Sequence, residues 1–236
     1  MAISGILCRS GLLMAGALFS LMIVATDSYA GCNSNPAPGV DWSNCRKRNL
    51  ILSNTDLTGA NMQDSEVIST DLRDSKLDDA NFVKADLLRT VFDGASLTGA
   101  DFSKSAGYRT SFALADLSGA DFQKSEMQRA DFAHATLRNV NFSKASLGRA
   151  KREGAVIENS TFEFSILARA DFRSAKTSGK IDFTNAFVYL ARFEGVDLSM
   201  ATGMEQAQVD MACGDADTVL PEGLVPGASW PCTDND

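Results

Sequence analysis

A chain of 236 residues with a single histidine, His134, has few routes to the commonest side-chain chemistries. A Ser/His/Asp set would have to be built on that one imidazole, and no suitable partners accompany it. A zinc site would need cysteines in its place, and no Cys-x-x-Cys spacing occurs. Gly-x-Gly-x-x-Gly and P-loop motifs are absent, which removes the usual phosphate cradles. No cysteine lies between Cys45 and Cys213, and no Lys or Arg follows Arg192. The expectation is a non-catalytic chain without metal or cofactor. At 44% hydrophobic residues it still has material for a core.

What is present is a period. Gly119-Ala120-Asp121-Phe122-Gln123-Lys124 has a near copy 20 residues earlier, at Gly99 to Lys104, and another 20 later, at Val140 to Lys144. Inside each copy a unit of five recurs: a small residue, Asp or Asn, Leu or Phe, then two polar residues. A period of five with a superperiod of 20 fits neither a 3.6-residue helix nor an alternating strand. It fits a solenoid with four sides per coil. With the Leu or Phe position as the centre, centres run every fifth residue from Leu52 to Thr177. After one inserted residue they resume at Phe183, Val188, Phe193, Leu198 and Gly203. These 31 centres, four to a coil, give about 7.75 coils.

The unit Ala-(Asp/Asn)-Leu/Phe-x-x, sustained over roughly residues 48 to 204, resembles the pentapeptide repeat family. The resemblance implies an all-β, right-handed quadrilateral β-helix with the centre and the residue two before it pointing inward. It also raises one family behaviour: some members resemble duplex DNA in shape and charge and protect or inhibit DNA gyrase. Those act in the cytoplasm.

Sorted by place in the 20-residue turn, the centres form four ladders. The first holds Leu52, Leu72, Phe92, Phe112, Phe132, Arg152, Phe172 and Phe193. The third holds Met62 and then Phe82, Phe102, Phe122, Phe142, Phe162 and Phe183. The second and fourth are mostly aliphatic. Three irregular places stand out. Arg152 cannot remain unpaired in an apolar core, so Lys151 to Gly154 is expected to bulge outward. Gly107 leaves a gap in the fourth ladder, for which Tyr108 is the candidate compensation. The insertion at Lys176 to Asp182, with Gly179, is expected to form a small loop.

Outward positions carry two cationic series. Arg89, Arg109, Arg129, Arg149 and Arg169 each follow a fourth-side centre by two, and Lys84, Lys104, Lys124 and Lys144 each follow a third-side centre by two. Stacked coils would bring like charges to about 4.8 Å apart, a repulsion of about 1 kcal/mol per contact in water. Ile68, Leu88 and Tyr108 lie beside the Arg series, which suits a protein interface better than a purely electrostatic one. Duplication of a 20-residue block would also produce such series with no function attached. His134 falls outward, and the many Asp residues before centres belong to the unit.

The ends differ. Residues 1–30 carry Arg9, an apolar run from Leu12 to Ala25 and the small-x-small site Ser28-Tyr29-Ala30. They read as a secretory signal cleaved after Ala30, which leaves no membrane span. Acylation of Cys32 is the weaker reading, because Tyr29 stands where a lipoprotein signal wants Leu. The mature cysteines then fall in two pairs, Cys32–Cys45 and Cys213–Cys232, expected to be disulfides in a periplasmic or secreted protein. Residues 31–48 are expected to cap the repeats at 49–203, and 204–236 to supply a short helix and an irregular cap. The helix is expected over Met204 to Ala212, with Thr202 as N-cap and Glu205 completing a capping box. Nine carboxylates and no cation follow Arg192, so the chain's −8 leaves +1 for residues 1–193. That near-neutral solenoid sets DNA mimicry aside as the runner-up. The partner classes left open are an unknown protein, an anionic polymer and a second copy of the chain.

Overall fold

The computed structural model describes residues 31–232; the signal sequence expected over 1–30 lies outside the described residues, as do the last four. One turn explains the period of five. At most centres the carbonyl accepts the N–H three residues on, as in Ala95 to Phe92 and Ala120 to Leu117, both 3.0 Å, while after Leu52 and Leu137 that N–H donates to a hydroxyl of the next coil, Ser75 at 3.3 Å and Ser160 at 3.0 Å. The second turn residue is left-handed, with φ of 69° at Gly94 and 74° at Gly119. A type II turn requires that conformation. The chain therefore changes direction every fifth residue, and no segment is straight long enough for helical or strand periodicity to develop.

Successive coils stack in parallel with a 20-residue offset, which is 21 where the inserted residue intervenes, as in Thr161 with Asp182. Asp101 pairs with Asp121 and Asp121 with Asn141. The Phe102 N–H donates to the Asp121 carbonyl at 2.7 Å, and the Asp121 N–H to the Ala100 carbonyl at 3.0 Å. Such bridges recur every five residues, so each 20-residue coil contributes to four ladders. They lengthen into strands only near the C-terminal half. β1 (Thr136–Arg138), β2 (Val156–Glu158) and β3 (Lys176–Ser178) form one parallel sheet, and β4 (Ile181–Asp182) pairs with β5 (Ala201–Thr202) in another. The Asp or Asn of the unit has a local task. Its carboxyl or amide oxygen accepts the N–H two residues on, at 2.7 Å for Asp121 with Gln123 and 3.0 Å for Asn141 with Ser143. This Asx bond fixes the entry into each turn.

Both inward positions are filled as expected. Phe82, Phe102, Phe122, Phe142, Phe162 and Phe183 stack at centroid distances of 4.7 to 5.3 Å. Phe92, Phe112 and Phe132 stack similarly on the first side and meet the other column edge to face, as at Phe92–Phe102, 5.8 Å and 84°. Where the small inward residue is Ser or Thr, its buried hydroxyl is in most cases bonded to a carbonyl, as Thr110 to Leu87 at 2.7 Å, the exceptions being Ser125 and Ser165, whose hydroxyls have no partner among the described residues. That is why the interior accepts hydroxyls.

Two irregular places differ from expectation. Arg152 does not bulge. Its backbone keeps the ladder, donating to the Asp171 carbonyl at 2.7 Å, and its side chain is fully buried between Phe132 and Phe172. Its guanidinium carbon lies 4.6 Å from the Phe172 centroid and 5.4 to 5.7 Å from three other rings, and none of its nitrogens has a hydrogen-bond partner. The backbone bonds on both neighbours hold the residue in register, so the ring faces must solvate the cation, each contact adding about 0.5–2 kcal/mol. Burial pushes its pKa down to about 9. At Gly107, Met127 from the next coil takes the missing side chain's space; a Cβ there would meet Met127 Sδ at 2.4 Å. Tyr108 points outward and compensates nothing.

The five-residue geometry reaches further than the apolar centres reveal. Val40 and Trp42 occupy inward positions, as do Cys45 and Lys47 in the next unit. Lys47 reads as polar in sequence, yet it is buried over the Trp42 ring and its Nζ donates to the Cys32 carbonyl at 2.6 Å. At the other end, the helix α1 (Gln206–Met211) starts later than expected. Thr202 is held in β5 and Gly203 has φ of 68°, so Glu205 is the N-cap and its N–H donates to Gln208 Oε1 at 2.7 Å. Gln208 is buried and its amide donates to the carbonyls of Phe183 and Ala186, at 3.0 and 2.8 Å, closing carbonyls that a next coil would have used. Beyond α1 the stacking resumes, with Cys213 on Arg192 and Val219 on Asp197.

Arg152→Phe completes the first-side column and removes an unpaired buried charge. It is expected to raise Tm by roughly 5 °C or more at pH 7. Between pH 9 and the ordinary Arg value the unfolded chain holds a proton that folded Arg152 has lost, so the wild type alone gains stability as pH rises there. The gap in Tm between variant and wild type is therefore expected to narrow above pH 9, as scanning calorimetry can show. A second pH effect has the opposite reach. The Thr58 hydroxyl and N–H hold the Asp56 carboxyl below its usual range, and Ser199 does so for Asp197. A depressed carboxylate contributes above its unfolded pKa and is lost as pH falls through the folded one, so melting temperature is expected to hold down to about pH 4 and fall below it.

Candidate functional site

The turn geometry decides where the cationic series lie. Lys104 is the left-handed residue of the turn between Phe102 and Ser105, and Arg109 that of the next turn, between Gly107 and Thr110. The stretch between those corners, Ala106 and Gly107, belongs to the fourth side. The Lys series therefore runs along one edge of the fourth face and the Arg series along its other edge. Two series that sequence assigned to different sides border a single surface.

All nine cations sit in left-handed backbone, with φ from 56° to 62° across Lys84, Lys104, Lys124, Lys144, Arg89, Arg109, Arg129, Arg149 and Arg169. Each is exposed. For a residue with a Cβ this conformation costs about 1 kcal/mol or more, and Gly or Asn fills it more cheaply. The turns after the second-side centres show that preference, with Gly59, Gly99, Gly119, Asn139, Asn159 and Gly179 beside one Asp79, whereas those after the first-side centres mix Asn54, Asp74, Gly94, Leu114, His134, Gly154 and Ser174. Ion pairing does not offset the cation corners. Among the described residues only Lys84 of the nine has a carboxylate partner, Asp64 at 4.0 Å. Tyr108 lies under two of the arginines, with guanidinium carbons 5.3 Å (Arg109) and 5.8 Å (Arg129) from its ring centroid. Leu88 is half-buried beside it on the same strip.

The same face has a feature that sequence reading passed over. At its C-terminal end Phe164, Ile166, Phe187 and Tyr189 are all exposed; Phe187 and Tyr189 stack at 6.2 Å, and Ile166 pairs with Phe187 across coils. Lys144 reaches the Phe164 ring, Nζ 5.8 Å from its centroid. The signal was available, because large apolar residues at outward positions break the unit's polar rule. The four cysteines are remote from this face's middle. Cys32–Cys45 and Cys213–Cys232 close as disulfides, each with Cα atoms 5.4 Å apart, one at either end of the solenoid. His134 is an exposed, left-handed turn residue.

The sequence pattern of Pentapeptide repeats matches in eight copies, over residues 43–79, 70–105 and 112–151. The chain belongs to the pentapeptide repeat family. Among solved structures, a trypsin-treated variant of QnrB1, a plasmid-mediated fluoroquinolone resistance protein, is similar with a TM-score of 0.55 and 20% identity. The match covers 76% of this chain and 92% of QnrB1. HetL of the cyanobacterium Nostoc, a pentapeptide repeat protein involved in regulating heterocyst differentiation, matches with a TM-score of 0.36 and 21% identity, over 77% of this chain and 90% of HetL. At 20% identity the likeness to QnrB1 speaks of fold alone: a right-handed β-helical solenoid with little helix. No curated protein matches this pentapeptide repeat chain in sequence. No helix among its described residues is long and apolar enough to cross a membrane.

Replacing a corner cation by a residue suited to the turn is expected to stabilise the fold. Arg129→Asn and Lys124→Asn should each raise stability by up to about 1 kcal/mol in denaturant titration. A loss of stability would mean that the cations support the fold rather than burden it.

Proposed function

We propose that this pentapeptide repeat protein is an exported, non-catalytic binding protein that presents its fourth face, bordered by Lys and Arg ladders, to an anionic partner. The observation that carries the reading is the convergence of nine exposed cations, eight of them without a carboxylate partner among the described residues, on the two edges of one surface. Export is part of the proposal. It rests on the signal-like segment at 1–30 and is supported by two disulfides that suit an oxidising compartment. So is a quadrilateral section of about 7.75 coils between an N-terminal and a C-terminal cap.

DNA mimicry by a gyrase-directed regulator is the alternative. It is disfavoured by charge: the acidic residues gather after Arg192, while the solenoid before them is near neutral and basic on one face. A mimic of a polyanion would need the reverse.

Binding to polyglutamate and to a polyuronate of defined length, measured by anisotropy with the disulfide-bonded protein, tests the reading. Affinity is expected to fall steeply as salt rises from 50 to 300 mM, since exposed charges are screened over about 10 Å or less. Arg109→Ser/Arg129→Ser is expected to weaken both probes about tenfold without lowering Tm. Unchanged affinity in that variant would sink the proposal.

A further inference from the structure

We infer that the occupant of this face is an acidic amphipathic helix of another protein, lying along the solenoid axis. The inference rests on the cationic-face reading and narrows it. A bare polyanion would satisfy only the edges. Between them the strip one residue after the centres carries Leu88 and Tyr108, then Gln128, Gly148 and Ala168, and it ends at the exposed cluster of Phe164, Ile166, Phe187 and Tyr189, each 45 to 48% accessible. An apolar strip with a cationic border on each side is the complement of a helix with one apolar ridge and acidic flanks. Asp86 and Glu126 argue the same way. They stand on the fourth face between the two ladders, so a uniformly charged chain would be repelled there, whereas a helix can place neutral or basic residues over them. Size agrees. The five arginines span four coil spacings, about 19 Å at roughly 4.8 Å each, which an α-helix covers in about 13 residues. The patch starts in the coil of Arg169, with Phe164 and Ile166, and extends one coil further to Phe187 and Tyr189, under the next turn of such a helix.

Three probes separate this from simple polyanion binding: a peptide of about 16 residues with Leu at i, i+3, i+4 and i+7 spacing and Glu on both flanks, a scrambled peptide of the same composition, and polyglutamate. The amphipathic peptide is expected to bind at least tenfold tighter than the scrambled one and to gain helical circular dichroism when bound. Phe187→Ser/Tyr189→Ser is expected to remove that advantage while leaving polyglutamate affinity unchanged. Both residues are exposed, so the fold should survive, and Ile166→Glu on the neighbouring coil serves should the double variant not fold. Equal binding of ordered and scrambled peptides, or indifference to the aromatic variants, overturns the helix inference and leaves the cationic face standing. Indifference of every probe to Arg109→Ser/Arg129→Ser removes the face itself.

Discussion

Every fifth residue of the solenoid is tied by backbone hydrogen bonds to the coil 20 positions on, or 21 past the inserted residue, and that register is what the rest of the molecule obeys. It is set by a turn that recurs every fifth residue and at most centres closes on the centre's own carbonyl. Because backbone groups, not side chains, hold the coils together, a side chain has little say over its own place. Whatever stands at a centre goes inside. Phe does so to advantage, since stacked and edge-on rings add about 0.5–1.5 kcal/mol per pair. Arg152 does so at a disadvantage, and remains because a bulge would break ladder bonds on both neighbouring coils.

The same register turns local repeats into surface ladders. A cation at one corner position, repeated every 20 residues, becomes a charged edge whether or not any one residue gains from it. Here two such edges fall on either side of one face, and the left-handed backbone makes both of them costly. The fold carries that cost at many of its turns, since Leu114, His134, Ser174 and Leu190 are left-handed too, and the turns after the second-side centres relieve it mostly with Gly and Asn. The charge asymmetry is thus carried by the corners of the coil, while Asp and Asn at the turn entries are occupied with Asx bonds.

A solenoid must also end. At the N-terminus Trp42 and Lys47 continue the inward pattern with residues unlike the repeat, and the Cys32–Cys45 bridge and the Lys47 bond to Cys32 tie the lead-in over them. At the C-terminus a six-residue helix replaces one side of a coil, Gln208 satisfies the last carbonyls, and the chain then stacks once more through Cys213 and Val219. Trp230 closes this end, its indole N–H donating to the Ala212 carbonyl at 2.8 Å and its ring pressed on Gly214, where a Cβ would lie 2.3 Å from it.

The period of five, the inward positions, the Phe columns and the pairing of cysteines were legible in the sequence by itself, because a repeat states its own geometry many times over and single exceptions cannot obscure it. The exceptions were not legible. Arg152 was expected outside on the energetics of an isolated charge; the collective hold of neighbouring coils put it inside. Thr202 looked like a helix cap until pairing with Asp182 claimed its backbone. Trp42, Lys47 and Val219 keep the register without the repeat's residues, so only the stacking of coils reveals them. The candidate site divides the same way. Its cations were named from spacing alone, but their convergence on one face, and the aromatic cluster at the end of that face, depend on which way each turn directs the chain, and that is a property of the tertiary structure.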